Sequence, residues 1–235
     1  EGISSIVLAM LAVDFLVSES PIASVCISDK RDETKKLFNK AKFFIESALA
    51  KYGKTLDEYC EISNINELRN RYNGATFWIG TAGSKVASRV ETVQNLHFSE
   101  AAHFPSTDII NAREAIEGAL QMVDQGTGKV FIESTARGYG NYYQILWEKA
   151  SNGESEFRPV FFSAKDLYSQ EWLDEKSKQF TTNSMFKQEF PNTPSEAFSA
   201  TGSLFFDKDA IAWLKNEVVR KPIWQGQLNN WGELI

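Results

Sequence analysis

The stretch Gln94-Asn95-Leu96-His97-Phe98-Ser99-Glu100-Ala101-Ala102-His103-Phe104-Pro105 constrains the chain more than any other. An apolar-leaning run ends on a carboxylate, and small residues and a proline then turn the chain away. This pattern predicts a buried strand that delivers one acid, Glu100, to the carboxyl edge of a sheet. In open α/β sheets, ligands bind outside that edge. Hydrolysis of a phosphoanhydride there needs a carboxylate to orient the attacking water, beside a hydroxyl or acid for a divalent cation. A plain strand end with a solvated glutamate fits the same letters, so the rest of the chain has to separate the two readings.

Upstream, Ser4 to Val17 is apolar on nearly every side and predicts a helix packed inside the protein. Pro21 breaks the chain, and Ile22–Ser28 reads as a buried strand. Arg31 to Ala50 carries apolar residues at helical spacing, with Lys35, Lys36, Lys40 and Lys42 opposite. Those lysines fit either a solvated face or a contact with a phosphate backbone. Asn64 to Tyr72 reads as a short helix and Asn73-Gly74 as a turn. Thr76–Ala82 is a second strand, leading into the polar loop Gly83–Ser88, and the organising strand follows. Ser106-Thr107-Asp108 offers caps for a helix to about Val123. Val130–Thr135 is a fourth strand, Asn141 to about Ser151 a helix, and Phe157–Phe162 a fifth strand whose Pro159 places it near an edge or bulge. Helical patches at Ser169–Phe180, Ser184–Phe190 and Asp207–Val219 complete the chain. Strands alternating with helices argue for a mostly parallel sheet covered on both faces. The last third reads as a helical appendage.

Composition narrows the function classes. At 235 residues, 43% of them hydrophobic, the chain can bury one sizeable core, or one core plus a small appendage. Net charge is −6, so no global basic field advertises nucleic acid. Cys26 and Cys60 make no metal spacing or disulfide framework, and His97 and His103 are too few for a zinc site. Ile6–Val17 is too short to span a bilayer and carries Asp14. The opening Glu1-Gly2-Ile3-Ser4-Ser5, without Met, reads as part of something longer. Two further groups bear chemistry. Gly2-Ile3-Ser4-Ser5 precedes a buried helix, as the tail of a phosphate-binding loop does, with Ile3 where a lysine belongs. Glu133-Ser134-Thr135-Ala136-Arg137-Gly138-Tyr139-Gly140 brings hydroxyls, a cation and glycines to another strand's carboxyl end. There they suit a γ-phosphate sensor, or simply a helix cap.

Taken in order, these pieces resemble the ATPase domain of the terminase large subunit, the DNA-packaging motor of tailed phages and prophages. Gly2-Ile3-Ser4-Ser5 is similar to the end of a variant P-loop in which isoleucine replaces lysine. In that variant an upstream arginine or lysine, absent here, does the lysine's work. Leu96-His97-Phe98-Ser99-Glu100 resembles the Walker B strand, with Ser99 where aspartate usually stands. A hydroxyl or a bridging water would then serve the metal. Glu133-Ser134-Thr135 resembles the motif coupling hydrolysis to movement. Gln188-Glu189-Phe190-Pro191-Asn192-Thr193-Pro194-Ser195-Glu196-Ala197-Phe198 resembles the stretch that closes the domain, and Trp231–Ile235 falls about where the family's linker to a nuclease domain starts.

The resemblance implies an α/β P-loop core of the additional-strand, RecA-like kind over residues 1–165. A helical C-terminal subdomain and the start of the linker fill 166–235, with the nuclease outside this chain. It implies ATP hydrolysis with Mg²⁺, driving double-stranded DNA into a procapsid. Glu100 would orient the attacking water, Ser4 and Ser99 would serve the metal, and Gly2, Ile3, Ser4 and Ser5 would hold phosphates. Ser134 and Thr135 would sense the γ-phosphate, and Arg89 would reach a neighbouring subunit's nucleotide. The implied partners are DNA, the portal protein, the small terminase subunit and further copies in a ring, in the host cytoplasm and away from membranes. Two rival readings are another P-loop translocase, such as a DNA helicase, and a non-hydrolysing scaffold that binds portal or small subunit.

Overall fold

Helix α1 (Ile3–Val17) leads into strand β1 (Ala23–Ser28), and α2 (Arg31–Ala50) follows. A capped turn of helix, α3 (Leu56–Tyr59), runs directly into β2 (Cys60–Ser63), then β3 (Glu67–Asn70) and β4 (Thr76–Thr81). After β5 (Asn95–Ser99) come a 3₁₀ turn at Ala101–His103, α4 (Ala112–Leu120), β6 (Lys129–Glu133) and α5 (Tyr142–Ser151). Four short helices complete the order: α6 (Ala164–Leu167), α7 (Gln170–Ser177), α8 (Asn183–Glu189) and α9 (Pro194–Ala197). The computed structural model describes residues 2–82, 92–105, 111–198 and 213–218.

Among the described residues the strands form one sheet in the order β2-β3-β4-β1-β5-β6. β4, β1, β5 and β6 run parallel, and β3 is antiparallel to both of its neighbours. The expected mostly parallel α/β sheet is present, with β1 and its neighbour β5 buried along their lengths.

Alternation along these strands divides the core into two layers. On one face, Cys26 and Phe77 pack with Leu8, Leu11 and Phe15 of α1 and Phe38, Ala41 and Ile45 of α2. On the other, Val25, Ile27, Leu96 and Phe98 pack with Ile116 and Ala119 of α4. Each such large side chain contributes about 1.5–3 kcal/mol when fully buried. The same alternation sends Asn95, His97 and Ser99 of β5 to the α1 side. Strand β5 is therefore buried throughout yet polar at every second position.

Three expectations change. Asn64–Tyr72 is not a helix: Glu67–Asn70 is a strand, because only Leu68 reaches the core while Ile65 and Tyr72 stay exposed. Phe157–Phe162 joins no strand; it crosses the cleft side of the sheet, and Phe161 packs on Trp147. Pro159 has no N–H to give a ladder. Helix α1 buries one face only and leaves Ile6, Met10, Val13 and Val17 exposed. In addition, α4 takes its cap from Asn111, whose side chain accepts from Arg113 N–H. Ser106, Thr107 and Asp108, expected as caps, lie outside the described residues.

The helical portion has its own small aromatic core. Tyr168 stacks on Trp172 at 4.3 Å, and Phe190 meets Trp172, Phe180 and Phe186 edge-on or stacked. Phe198 ties this portion back to Tyr143 and Trp147 of α5. Of the expected helix Asp207–Val219 only 213–218 are described, and Leu214–Val218 form a single π-helical turn. No described helix is long and apolar enough to cross a membrane.

Candidate functional site

The carboxyl ends of β1, β5 and β6 and the N-terminus of α1 lie on one large open groove of about 1390 Å³, which also runs past Val123, Gly128 and Val130 at the other end of β6. Glu100 is among its lining residues, one residue past β5. It is the one non-glycine residue with positive φ among the described residues, at φ 57°, ψ 43°. That left-handed conformation costs a side-chain-bearing residue about 1–2 kcal/mol. Backbone strain of this kind persists where neighbouring structure over-determines it, and it clusters at functional sites. Here a rigid buried strand ends and a 3₁₀ turn begins immediately, so the chain reverses at Glu100 and aims its carboxylate into the cleft.

Among the described residues the carboxylate has three polar neighbours. Ser134 Oγ lies 3.3 Å and Thr135 Oγ1 3.4 Å from Glu100 Oε2. His103 Nδ1 lies 3.3 Å away, in reach for charge attraction but poorly aligned for a hydrogen bond. Burial pushes the Glu100 carboxyl up, yet His103, Ser134 and the Thr135 backbone outweigh it and hold the group below its ordinary value. It is therefore ionised at neutral pH, as the orienting of a water requires. Ser134 has one proton and two acceptors, since its Oγ is also 2.7 Å from Thr135 O. The same Oγ accepts from Ala102 N–H at 3.1 Å, which ties the β6 end to the turn after Glu100.

Ser134 and Thr135 cap no helix. Asn141 caps α5, accepting from Gln144 N–H, and its Nδ2 donates to the carbonyls of Arg137 and Gly138. Gly138 and Gly140 have φ of 68° and 90°, which the loop needs in order to fold back on Asn141.

At the other wall, Gly2 begins α1 with φ 109°, and no side chain caps the helix. The first amides of α1 keep the partial positive charge of a helix N-terminus. Ser4 Oγ donates to Glu133 Oε1 at 2.8 Å, and Ser5 Oγ accepts from Lys40 at 3.0 Å. Ile3 packs against the α1–α2 core, and its aliphatic side chain offers a phosphate no donor, so its backbone is what a ligand can use. Ser99 is buried at the end of β5, beside Glu133 in the parallel register. Arg89 lies outside the described residues. Of the other lysines on α2, Lys36 pairs with Glu33, and Lys42 donates to Asn64 O while lying over Phe38. Their contacts are those of an ordinary solvated face.

Two residues join the site that the sequence alone gives no role. His97, fully buried on β5, lies 3.5 Å from Cys26 Sγ through Nδ1 and 3.2 Å from Glu133 Oε1 through Nε2. Burial pushes the imidazole down, but Cys26 and the Glu133 carboxylate outweigh it and raise it to about 10. Glu133 stands in the motif that ends β6 without a function of its own there. The sequence signal for both is a histidine at an every-second polar position of a buried strand: such a group needs a partner from the next strand.

The donor set is oxygen-rich: the Ser4 hydroxyl, with the Glu133 and Glu100 carboxylates nearby. That chemistry suits Mg²⁺ rather than a soft metal. The described residues hold no cluster of three or more metal-binding side chains. Mg²⁺ in nucleotide sites needs none, because it takes one or two protein groups and fills the rest of its shell with phosphates and water.

No protein-family model matches the chain, and no curated protein matches it. Solved structures do. The large terminase of a thermophilic bacteriophage, in complex with ADP, superposes with a TM-score of 0.59 at 10% identity, covering 86% of this chain and 48% of that one. The same enzyme in complex with ATP-γ-S gives 0.55 at 10% identity, covering 79% and 43%. The large terminase ATPase domain of Thermus phage P74-26 gives 0.52 at 17% identity, covering 79% of this chain and 82% of that domain. The chain thus spans about half the length of the first of these enzymes. It has the fold of a phage large-terminase ATPase domain.

Proposed function

We propose that this chain is an ATP-hydrolysing motor domain of the large-terminase kind, coupling ATP turnover to the movement of double-stranded DNA into a procapsid. The observation that carries the reading is Glu100, an ionised acid in left-handed backbone at the end of the buried strand β5, with two hydroxyls beside it in a cleft that opens at a helix N-terminus. The fold it shares with large-terminase ATPase domains, and the nucleotides bound to one of those enzymes, support it.

In this reading the backbone N–H groups of Gly2, Ile3, Ser4 and Ser5 hold phosphate oxygens at the positive end of α1. Ser4, with Ser99 nearby, serves Mg²⁺, which when bound neutralises charge on the β- and γ-phosphates. Glu100 orients the attacking water and draws on its proton. Ser134 and Thr135 read the γ-phosphate, and the single proton of Ser134 can be re-aimed between Glu100 and the Thr135 carbonyl. Arg89 reaching a neighbour's nucleotide rests on the family resemblance alone. So do the ring of copies, the portal and small-subunit partners, the nuclease elsewhere in the full-length protein, and work in the host cytoplasm. The division into a core over 1–165 and a helical part over 166–235 belongs to the same proposal.

One observation favours a non-hydrolysing scaffold instead. Ile3, at the lysine position, packs against the core, and Ser99 replaces the usual acid. Phosphate release by the full-length protein, with and without duplex DNA, separates the readings. A motor releases phosphate faster on duplex DNA without separating its strands. Nucleotide binding with no release on DNA supports the scaffold, and strand separation coupled to release supports a helicase.

A further inference from the structure

We propose that Glu133, one strand over from the usual position, supplies the metal-side carboxylate that Ser99 lacks. The inference rests on the nucleotide reading above and deepens it. A Mg²⁺–nucleotide site built on a helix-terminal hydroxyl needs an acid beside that hydroxyl, to take its proton's hydrogen bond while the oxygen faces the metal. Position 99 holds a serine. In the parallel register Ser99 pairs with Glu133, so the two side chains leave neighbouring strands at the same level and on the same face of the sheet. Ser4 Oγ donates to Glu133 Oε1 at 2.8 Å, a contact between residues far apart in the chain.

The carboxylate is also held from behind. His97 Nε2 lies 3.2 Å from the same oxygen, on a strand with no exposure at that residue, and His97 Nδ1 is fixed in turn by Cys26. Both contacts from described residues fall on Oε1, and Oε2 would face the metal's shell. Glu133 lines the cleft with its side chain only 16% exposed, enclosed enough to be oriented and open enough to be reached. Asp29 lines the same cleft, but its partners are its chain neighbours Ser28 and Lys30. His97 is a positioning residue in this scheme, acting through Glu133.

The test is nucleotide affinity with and without metal, measured by calorimetry on the full-length protein with ATP-γ-S in Mg²⁺ and in EDTA. Glu133→Gln should weaken binding about 10–100-fold in Mg²⁺, the usual cost of losing an outer-shell partner, and leave binding in EDTA unchanged. Asp29→Asn should leave both unchanged. The double variant Ser99→Asp/Glu133→Gln should regain the metal-dependent part, because it returns the acid to the adjacent strand at the same level. Should Glu133→Gln unfold, Glu133→Asp, which keeps the charge but withdraws it by one methylene, should weaken binding in Mg²⁺ in the same sense and leave binding in EDTA unchanged. Full metal-dependent affinity in Glu133→Gln, or no recovery in the double variant, overturns the role of Glu133 while the nucleotide reading stands. A wild-type protein with no metal-dependent affinity overturns both.

Discussion

At Glu100 the backbone and the side chain make opposed demands. The left-handed conformation favours glycine, but the carboxylate is what the cleft presents to a ligand. Glu100→Gly should therefore raise the stability of the folded protein by up to about 1 kcal/mol, by removing the steric cost of a β-carbon in that conformation. Glu100→Gln keeps the β-carbon and should bring no such gain. Urea denaturation of the three proteins checks this, and a Glu100→Gly protein less stable than Glu100→Gln would show that the backbone there is not strained. Stability gained by erasing a functional group is the usual mark of strain held at a site.

Strand β5 is the element that makes the site, and it was the most legible part of the sequence. An apolar run ending on an acid forecast both its burial and the place of Glu100. Helix α2 was legible from its apolar periodicity, as were the hydroxyls after β6, while α1 was legible as a helix but not in its exposed face. The antiparallel edge was not. Ile65, Leu68 and Tyr72 recur at helical spacing, but only Leu68 enters the core, so the period that suggested a helix does not correspond to a buried face. Phe157–Phe162 has the letters of a strand, yet Val160 and Phe162 are exposed and Phe161 packs on Trp147 instead of entering a ladder. The His97–Glu133 pairing was hidden because it depends on strand order, which a sequence does not print.

That pairing makes a prediction at the level of the sheet, since His97 links β1, β5 and β6. Its folded value is raised to about 10 from an ordinary 6.5. The stability it contributes is fully present below the ordinary value and is lost as pH rises through the interval towards the folded one. Wild type should therefore lose more stability between about pH 7 and about pH 9.5 than His97→Gln does, measured by urea midpoints at each pH. Equal losses in the two proteins would mean that His97 is neutral in the fold and that its contact with Glu133 is not an ion pair.

In the proposed motor, the carboxyl edge of one sheet and the start of α1 gather phosphate-binding amides, a metal-serving hydroxyl, a water-orienting acid and two sensing hydroxyls from three separate parts of the chain. These groups meet because parallel strands bring their carboxyl ends to a common edge. Binding and turnover then fall to different residues, so a single substitution can separate them. The decisive measurement is ATP affinity and steady-state phosphate release for Glu100→Gln in the full-length protein, on duplex DNA. Affinity should be nearly unchanged and turnover reduced ~10²-fold or more, as the loss of a positioned base requires. Turnover within about a factor of two of wild type would contradict this, because the acid at the end of β5 would then have no part in the chemistry.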